Sequence, residues 1–240
     1  MSTAAPTLRT EVWRALGTVL DPELDESVTE LGFVASLRVD GPEVRVELRL
    51  PTYFCAPNFA YLMVADAHDV LTELPGVTHV QVRLLDHFAS DAINTGVAAA
   101  DGFDASFPGL ATGELDDLRR TFLAKAHSVR QEQLATGLLR EGRTHQQLLE
   151  VRLRDLPGST ELTRLQRRRE RLAIPSGPDA LLMLDDRGRA MDLGTLPMRL
   201  RLARTTRVGV EANAGWCRGL LSTRYGDRSG DDVPRESQPS

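Results

Sequence analysis

Two cysteines, Cys55 and Cys217, are all that this 240-residue chain contains. That is too few for a disulfide framework, and it points to a reducing, cytoplasmic setting. Lysine is rarer still: Lys125 is the single lysine among 29 basic residues, a bias of composition that carries no functional signal. No apolar run approaches the roughly 18 residues that a membrane span needs, and the opening MSTAAPTLRTEVW lacks the apolar middle of a signal peptide. Also missing are the phosphate loop G-x-x-x-x-G-K-[ST], the zinc motif H-E-x-x-H, C-x-x-C, the nucleophile elbow G-x-S-x-G and the dinucleotide glycine pattern. With none of these, no catalytic mechanism can be argued, and the chain reads as a non-enzyme.

What is present is a divided charge. Residues 1–117 carry 19 acidic and 6 basic side chains, a net of −13; residues 118–240 carry 15 and 23, a net of +8. Such asymmetry fits two units of opposite sign, or a basic half that meets an acidic partner.

The first part of the chain has clear periodicities. Leu8, Val12, Ala15, Leu16 and Val19 share one helical face. Ser27-Val28-Thr29-Glu30 has the form of a capping box opening a short turn that Gly32 can end. Phe33, Ala35, Leu37 and Val39 alternate as in a strand, Asp40-Gly41 signals a hairpin, and Val44, Val46, Leu48 and Leu50 alternate in the returning strand. From Pro57 the period becomes helical through Leu74. Pro75-Gly76 stops that helix, and Val80, Val82 and Leu84 make a third strand, expected parallel to its neighbour through a right-handed crossover.

The predicted fold is therefore α+β: a small helix-strand-strand-helix-strand domain at residues 1–90, then a helix-rich C-terminal region with a short hairpin. Connecting helices are expected at 91–139, a helical domain at 140–226 and a disordered tail at 227–240. Within that domain, Thr144 to Gln147 suggest a capping box, and STELTRLQRRRERL a basic helix. Asp186-Arg187-Gly188 suggest a hairpin; a helix near 196–204, a short strand RVGVEA and a helix GWCRGLLSTRY follow.

Cys55 stands where the second strand gives way to a helix, two residues before Pro57. A proline in the first helical turn loses nothing by lacking an N–H. A thiol beside unpaired backbone N–H groups and the positive end of a helix dipole is biased towards thiolate, the form that binds soft metals. A small buried hydrophobe is the competing reading, at roughly even weight. Asp21-Pro22-Glu23-Leu24, taken alone, is a turn starter.

Together these features are more specific. Asp21-Pro22-Glu23-Leu24, Leu31-Gly32-Phe33-Val34, a two-strand hairpin, then Thr52 and Cys55 before a helix resemble the small domain of the SufT and PaaD metal–sulfur cluster assembly factors, the MIP-eighteen-like family. The resemblance covers roughly residues 8–86. It implies iron–sulfur cluster assembly or metal delivery to a client metalloprotein, with Cys55 as the functional thiol and metal ligand, and with Asp21, Glu23 and Thr52 beside it. The PaaD side implies a multicomponent oxygenase as client. One departure stands out: the family has Cys-Pro, whereas here Ala56 intervenes between Cys55 and Pro57.

A cluster is normally held by four thiolates. A transient cluster or iron ion at Cys55 would then need a homodimer, a client that shares the site, or mixed ligation. Additional candidate ligands are Asp86 and His87, which follow the third strand, and Cys217, whose default reading is packing beside Trp216 and whose alternative is to face Cys55 across a domain interface. Two other readings compete. One is a regulatory or structural oxygenase subunit that touches no metal. The other is a DNA-binding regulator using Arg167, Arg168, Arg169 and Arg171, which the interspersed Glu161 and Glu170, the lack of interleaved aromatics and the overall acidity argue against.

Overall fold

The computed structural model describes residues 7–99 and 114–226. The expected loop within 100–113 and the expected tail at 227–240 lie outside them. The chain divides into two compact units: the first takes the described residues up to Leu115 and from Ala212 onward, the second Asp116–Glu211.

The first unit begins with α1 (Leu8–Leu16), capped by Thr7, whose side chain accepts from the Thr10 N–H. Then come β1 (Val34–Asp40), β2 (Glu43–Arg49), α2 (Pro57–Thr72), β3 (His79–Leu85) and α3 (Ser90–Ala99). The sheet order is β1-β2-β3, with β1 antiparallel to β2 and β3 parallel to it, as the strand–helix–strand order required. In β2, Val44, Val46 and Leu48 face the core and the residues between them do not. β1 departs from strict alternation. A register shift between Val34 and Ser36 breaks the ladder, so Phe33, Val34 and Leu37 are buried where Phe33, Ala35 and Leu37 were expected on one face. An extra residue in one strand has this effect, because the side-chain period is two.

The helix α2 buries Ala60, Tyr61, Leu62, Met63 and Val64 in succession, so one full turn of it is enclosed on all sides. The Ser27 capping box forms: the Ser27 N–H donates to Glu30, and the Glu30 N–H to Ser27 Oγ. Gly32, with φ +74°, turns the chain from this bend into β1. A Cβ there would touch Leu221 at an ordinary 3.4 Å, so the constraint lies in the backbone. Gly32→Ala should destabilise the protein by about 1–2 kcal/mol, the cost of an L-residue in the left-handed region, read as a lower denaturation midpoint.

The second unit holds most of α4 (Glu114–Arg140), then α5 (His145–Leu148), a 3-10 turn (Leu153–Asp155) and α6 (Thr160–Arg171). The predicted capping box at Thr144 is present. The reversal at Asp185–Arg189 also forms, closed by a Leu184–Ala190 bridge and too short to build strands. Of the α6 arginines, Arg168 and Arg169 are buried, and only Arg167 and Arg171 are exposed. A cavity of about 370 Å³ in this unit is lined by Lys125, Ser128, Met183 and Arg199 among others. The Lys125 ammonium sits 4.5 Å above the Phe122 ring.

The clearest correction concerns residues 196–225. The expected helix, strand and helix are one 30-residue helix, α7 (Leu196–Tyr225). Its residues to Glu211 belong to the second unit and those from Ala212 to the first. No described helix is long and apolar enough to cross a membrane.

Candidate functional site

β2 delivers the chain through Leu50 and Pro51 to a turn, Thr52-Tyr53-Phe54-Cys55, and α2 then starts at Pro57 with Ala56 as its N-cap. Ala56 offers no side-chain oxygen to the first turn. Cys55 is half-buried, and its Sγ lies 3.2 Å from Thr52 Oγ1, within hydrogen-bond distance. The residues between them are out in solvent: Tyr53 is 43% exposed and Phe54 78%. Their rings meet edge to face at 5.1 Å, and Phe88, also exposed, joins both at 6.3 and 6.2 Å. Cys55 is thus neither sealed in the core nor isolated on the surface.

The Asp21 turn reaches the same place. Asp21 Oδ1 accepts from the Glu23 and Leu24 N–H groups, both at 2.9 Å, and this holds the bend closed. A cavity of about 190 Å³ within the first unit is lined by Asp21, Glu23, Phe33, Cys55, Met63 and Cys217, among others. Cys217 arrives on the last turns of α7, with Asn213 and Trp216 beside it at the same wall. These turns are well anchored. Arg218 pairs with Glu26, Arg224 donates to the Pro51 carbonyl at 3.1 Å, and the Arg49 guanidinium lies 4.5 Å over the Tyr225 ring. Ala214 is fully buried in the first unit's core.

Burial moves two titrations here. Asp21 is pushed up to about 6, because desolvation of its carboxylate outweighs the two backbone N–H donors that oppose it. Cys217 is pushed up to about 11, first by burial and then by the negative fields of Asp21, Cys55 and Glu23. Among the described residues no basic side chain lines the cavity, so the Asp21 and Glu23 carboxyls meet no opposite charge there.

The structure brings together Cys55, Thr52, Asp21, Glu23 and Cys217. Cys217 comes from the same unit as Cys55, where a separate domain was expected. Two other candidates are engaged elsewhere. The Ala89 N–H donates to His87 Nδ1 at 3.1 Å, so the ring proton is on Nε2, which donates to the Cys55 carbonyl at 2.8 Å. Both ring nitrogens are occupied, and the role of His87 is to position the Cys55 turn. Asp86 forms a 2.8 Å ion pair with Arg49, without hydrogen-bond alignment. His87→Ala should remove the donor from the part-buried Cys55 carbonyl at a cost of about 1 kcal/mol. Faster amide exchange at residues 53–56 would report it, and unchanged exchange there would remove the positioning role.

Asn213 and Trp216 are site residues that the sequence reading passed over. Had 196–225 been taken as one helix, Asn213, Trp216 and Cys217 would have fallen on one face at i, i+3 and i+4.

Among the described residues, no three Cys, His, Asp or Glu side chains are grouped to hold a metal ion. Residues 9–82 match a family model described as iron-sulfur cluster assembly protein. That segment is the N-terminal third of the chain; it contains Asp21, Glu23, Thr52 and Cys55, and ends before Cys217. The match supports a general role in iron–sulfur cluster assembly. No curated protein matches the chain.

Proposed function

We propose that this protein is a non-enzymatic maturation factor that passes iron or an iron–sulfur cluster to a client metalloprotein, with the Cys55 thiol as the contact atom. The observation that carries this reading is the place of Cys55. It lies inside the segment that matches the assembly family, half-buried, on a cavity that also holds Asp21 and Glu23. A single accessible sulfur in an incomplete donor set binds weakly enough to release, as a donor must. An oxygenase component is the client class that the PaaD-like turn and cysteine suggest. The exposed rings of Tyr53 and Phe54, in the Cys55 turn, cluster with Phe88 and offer apolar surface for an acceptor to cover.

The test is anaerobic reconstitution of the full chain with iron and sulfide, followed by transfer to an apo iron–sulfur protein. Cys55→Ser should keep its circular dichroism and melting profile while transfer falls at least about tenfold, the scale of losing a ligand's contribution to affinity. Transfer by Cys55→Ser at the wild-type rate would end the proposal.

A further inference from the structure

We propose that Cys217 is the second sulfur of this site, so that one chain offers its cargo a pair of thiolates, Cys55 from the β2–α2 turn and Cys217 from α7. The inference rests on the proposed role of Cys55 and extends it to a residue outside the matched segment.

Three observations carry it. First, both cysteines line one cavity of about 190 Å³ in one unit, although they are far apart in sequence. Second, the remaining polar groups on that cavity suit a cation. Asp21 is only 8% exposed, and its Oδ1 is held by the turn. Glu23 is a second carboxylate in the lining, which among the described residues includes no lysine, arginine or histidine. Third, the helix that carries Cys217 is fixed where it is. The Arg218–Glu26 pair, the Arg224–Pro51 hydrogen bond and the packing of Leu221 and buried Ala214 hold it against the first unit's core. A helix placed only to cover apolar surface has no need to carry a thiol into an acidic cavity.

The ligand class follows from donor chemistry. A pair of thiols favours a thiophilic divalent cation such as Fe(II), or the edge of an iron–sulfur cluster, while the two carboxylates add negative field without completing a three-donor group among the described residues. On binding, each thiol gives its proton to solvent and forms one metal–sulfur bond, with no change of oxidation state. Two thiolates are half of the usual four, so sulfide or the receiving protein must supply the others. This agrees with the lack of a three-residue metal group among the described residues.

The experiment titrates Co(II), as a spectroscopic stand-in for Fe(II), into the reduced full chain without oxygen. It compares wild type, Cys55→Ser and Cys217→Ser by thiolate-to-cobalt charge transfer. The wild type should show a band of two-thiolate intensity. Each variant should lose about half of it and bind at least about tenfold more weakly. Wild-type intensity and affinity in Cys217→Ser would overturn the inference and leave the Cys55 reading standing; the same result for Cys55→Ser, or no band in the wild type, would overturn both. Should Cys217→Ser fail to fold, alkylation of the wild type with and without Fe(II), read peptide by peptide, decides the matter. Protection of both cysteines supports the pair, and protection of Cys55 alone overturns it.

Discussion

Replacing Arg169 by alanine should cost the second unit about 4 kcal/mol, the largest effect of any single change considered. Its guanidinium is fully buried, and every acceptor it uses is neutral. Nε donates to His127 Nε2 at 3.2 Å, one terminal nitrogen to the Pro175 and Leu181 carbonyls, and the other to Gln131 Oε1 and the Leu182 carbonyl. Burial pushes Arg169 down to about 10, which leaves it charged at neutral pH. Five donors in one plane tie α4, α6 and the segment before the Asp185 reversal together. Truncation removes a donor from all five acceptors at once, although Gln131 Oε1 keeps the Leu184 N–H at 2.8 Å. Arg169→Lys keeps a charge but has only three donors, without the fork, so it should recover about half of the loss. Amide exchange across α4 and α6 would show this, faster by roughly a thousandfold in the alanine variant if the 4 kcal/mol is right. Exchange within threefold of wild type would show that water can replace the guanidinium.

Acid should weaken the second unit and strengthen the first. His127 is pushed down to about 3, mainly by burial and then by the Arg169 charge, with Asp185 opposing. Its Nε2 accepts from Arg169, so the ring proton is on Nδ1, which is buried without a partner among the described residues. As pH falls below about 6.5, the unfolded chain takes up a proton that the folded one refuses until about 3. The stabilisation by neutral His127 is complete above that window and drains away within it, by as much as about 5 kcal/mol. Asp21 works in the other direction. Its folded value of about 6 lies above the unfolded 3.8, so the folded state takes up the proton first. The first unit therefore gains stability as pH falls from about 6 to 3.8, by up to about 3 kcal/mol. Unit-resolved amide exchange at pH 6.5 and pH 4.5, corrected for intrinsic rates, should move in opposite senses. His127→Gln, which can still accept from Arg169, should remove the acid sensitivity of the second unit; persistence of that sensitivity would assign it to another group.

The first unit was legible because its signals are local and agree. Period two in β2, Asp40-Gly41 between strands and Pro57 at a helix start each specify one conformation, and the structure has all three. The bulge near Ala35 was not legible, since an extra residue looks like any other until its partner strand is known. The helix α7 was missed because Thr205, Thr206, Val208 and Val210 favour strand locally and Gly209, Gly215 and Gly219 weaken a helix. Buried contacts at Ala203 and Ala214 override them. The burial of Arg169 was not legible, because nothing local distinguishes it from its exposed neighbour Arg167. Of the site, Cys55, Thr52 and the Asp21 turn were legible, being close in sequence to the elements that hold them. That Cys217 shares their cavity depends on where a distant helix docks, which no spacing encodes.

The near absence of lysine has a practical side. Apart from the α-amino group, Lys125 on α4 is the chain's sole primary amine, and it lines the second unit's cavity. A succinimidyl dye or biotin would therefore attach at one known side chain and leave every sulfur and carboxylate around Cys55 chemically intact. Immobilised through that tether, the protein could be offered iron-bearing or apo acceptors over a sensor surface with its thiols never modified.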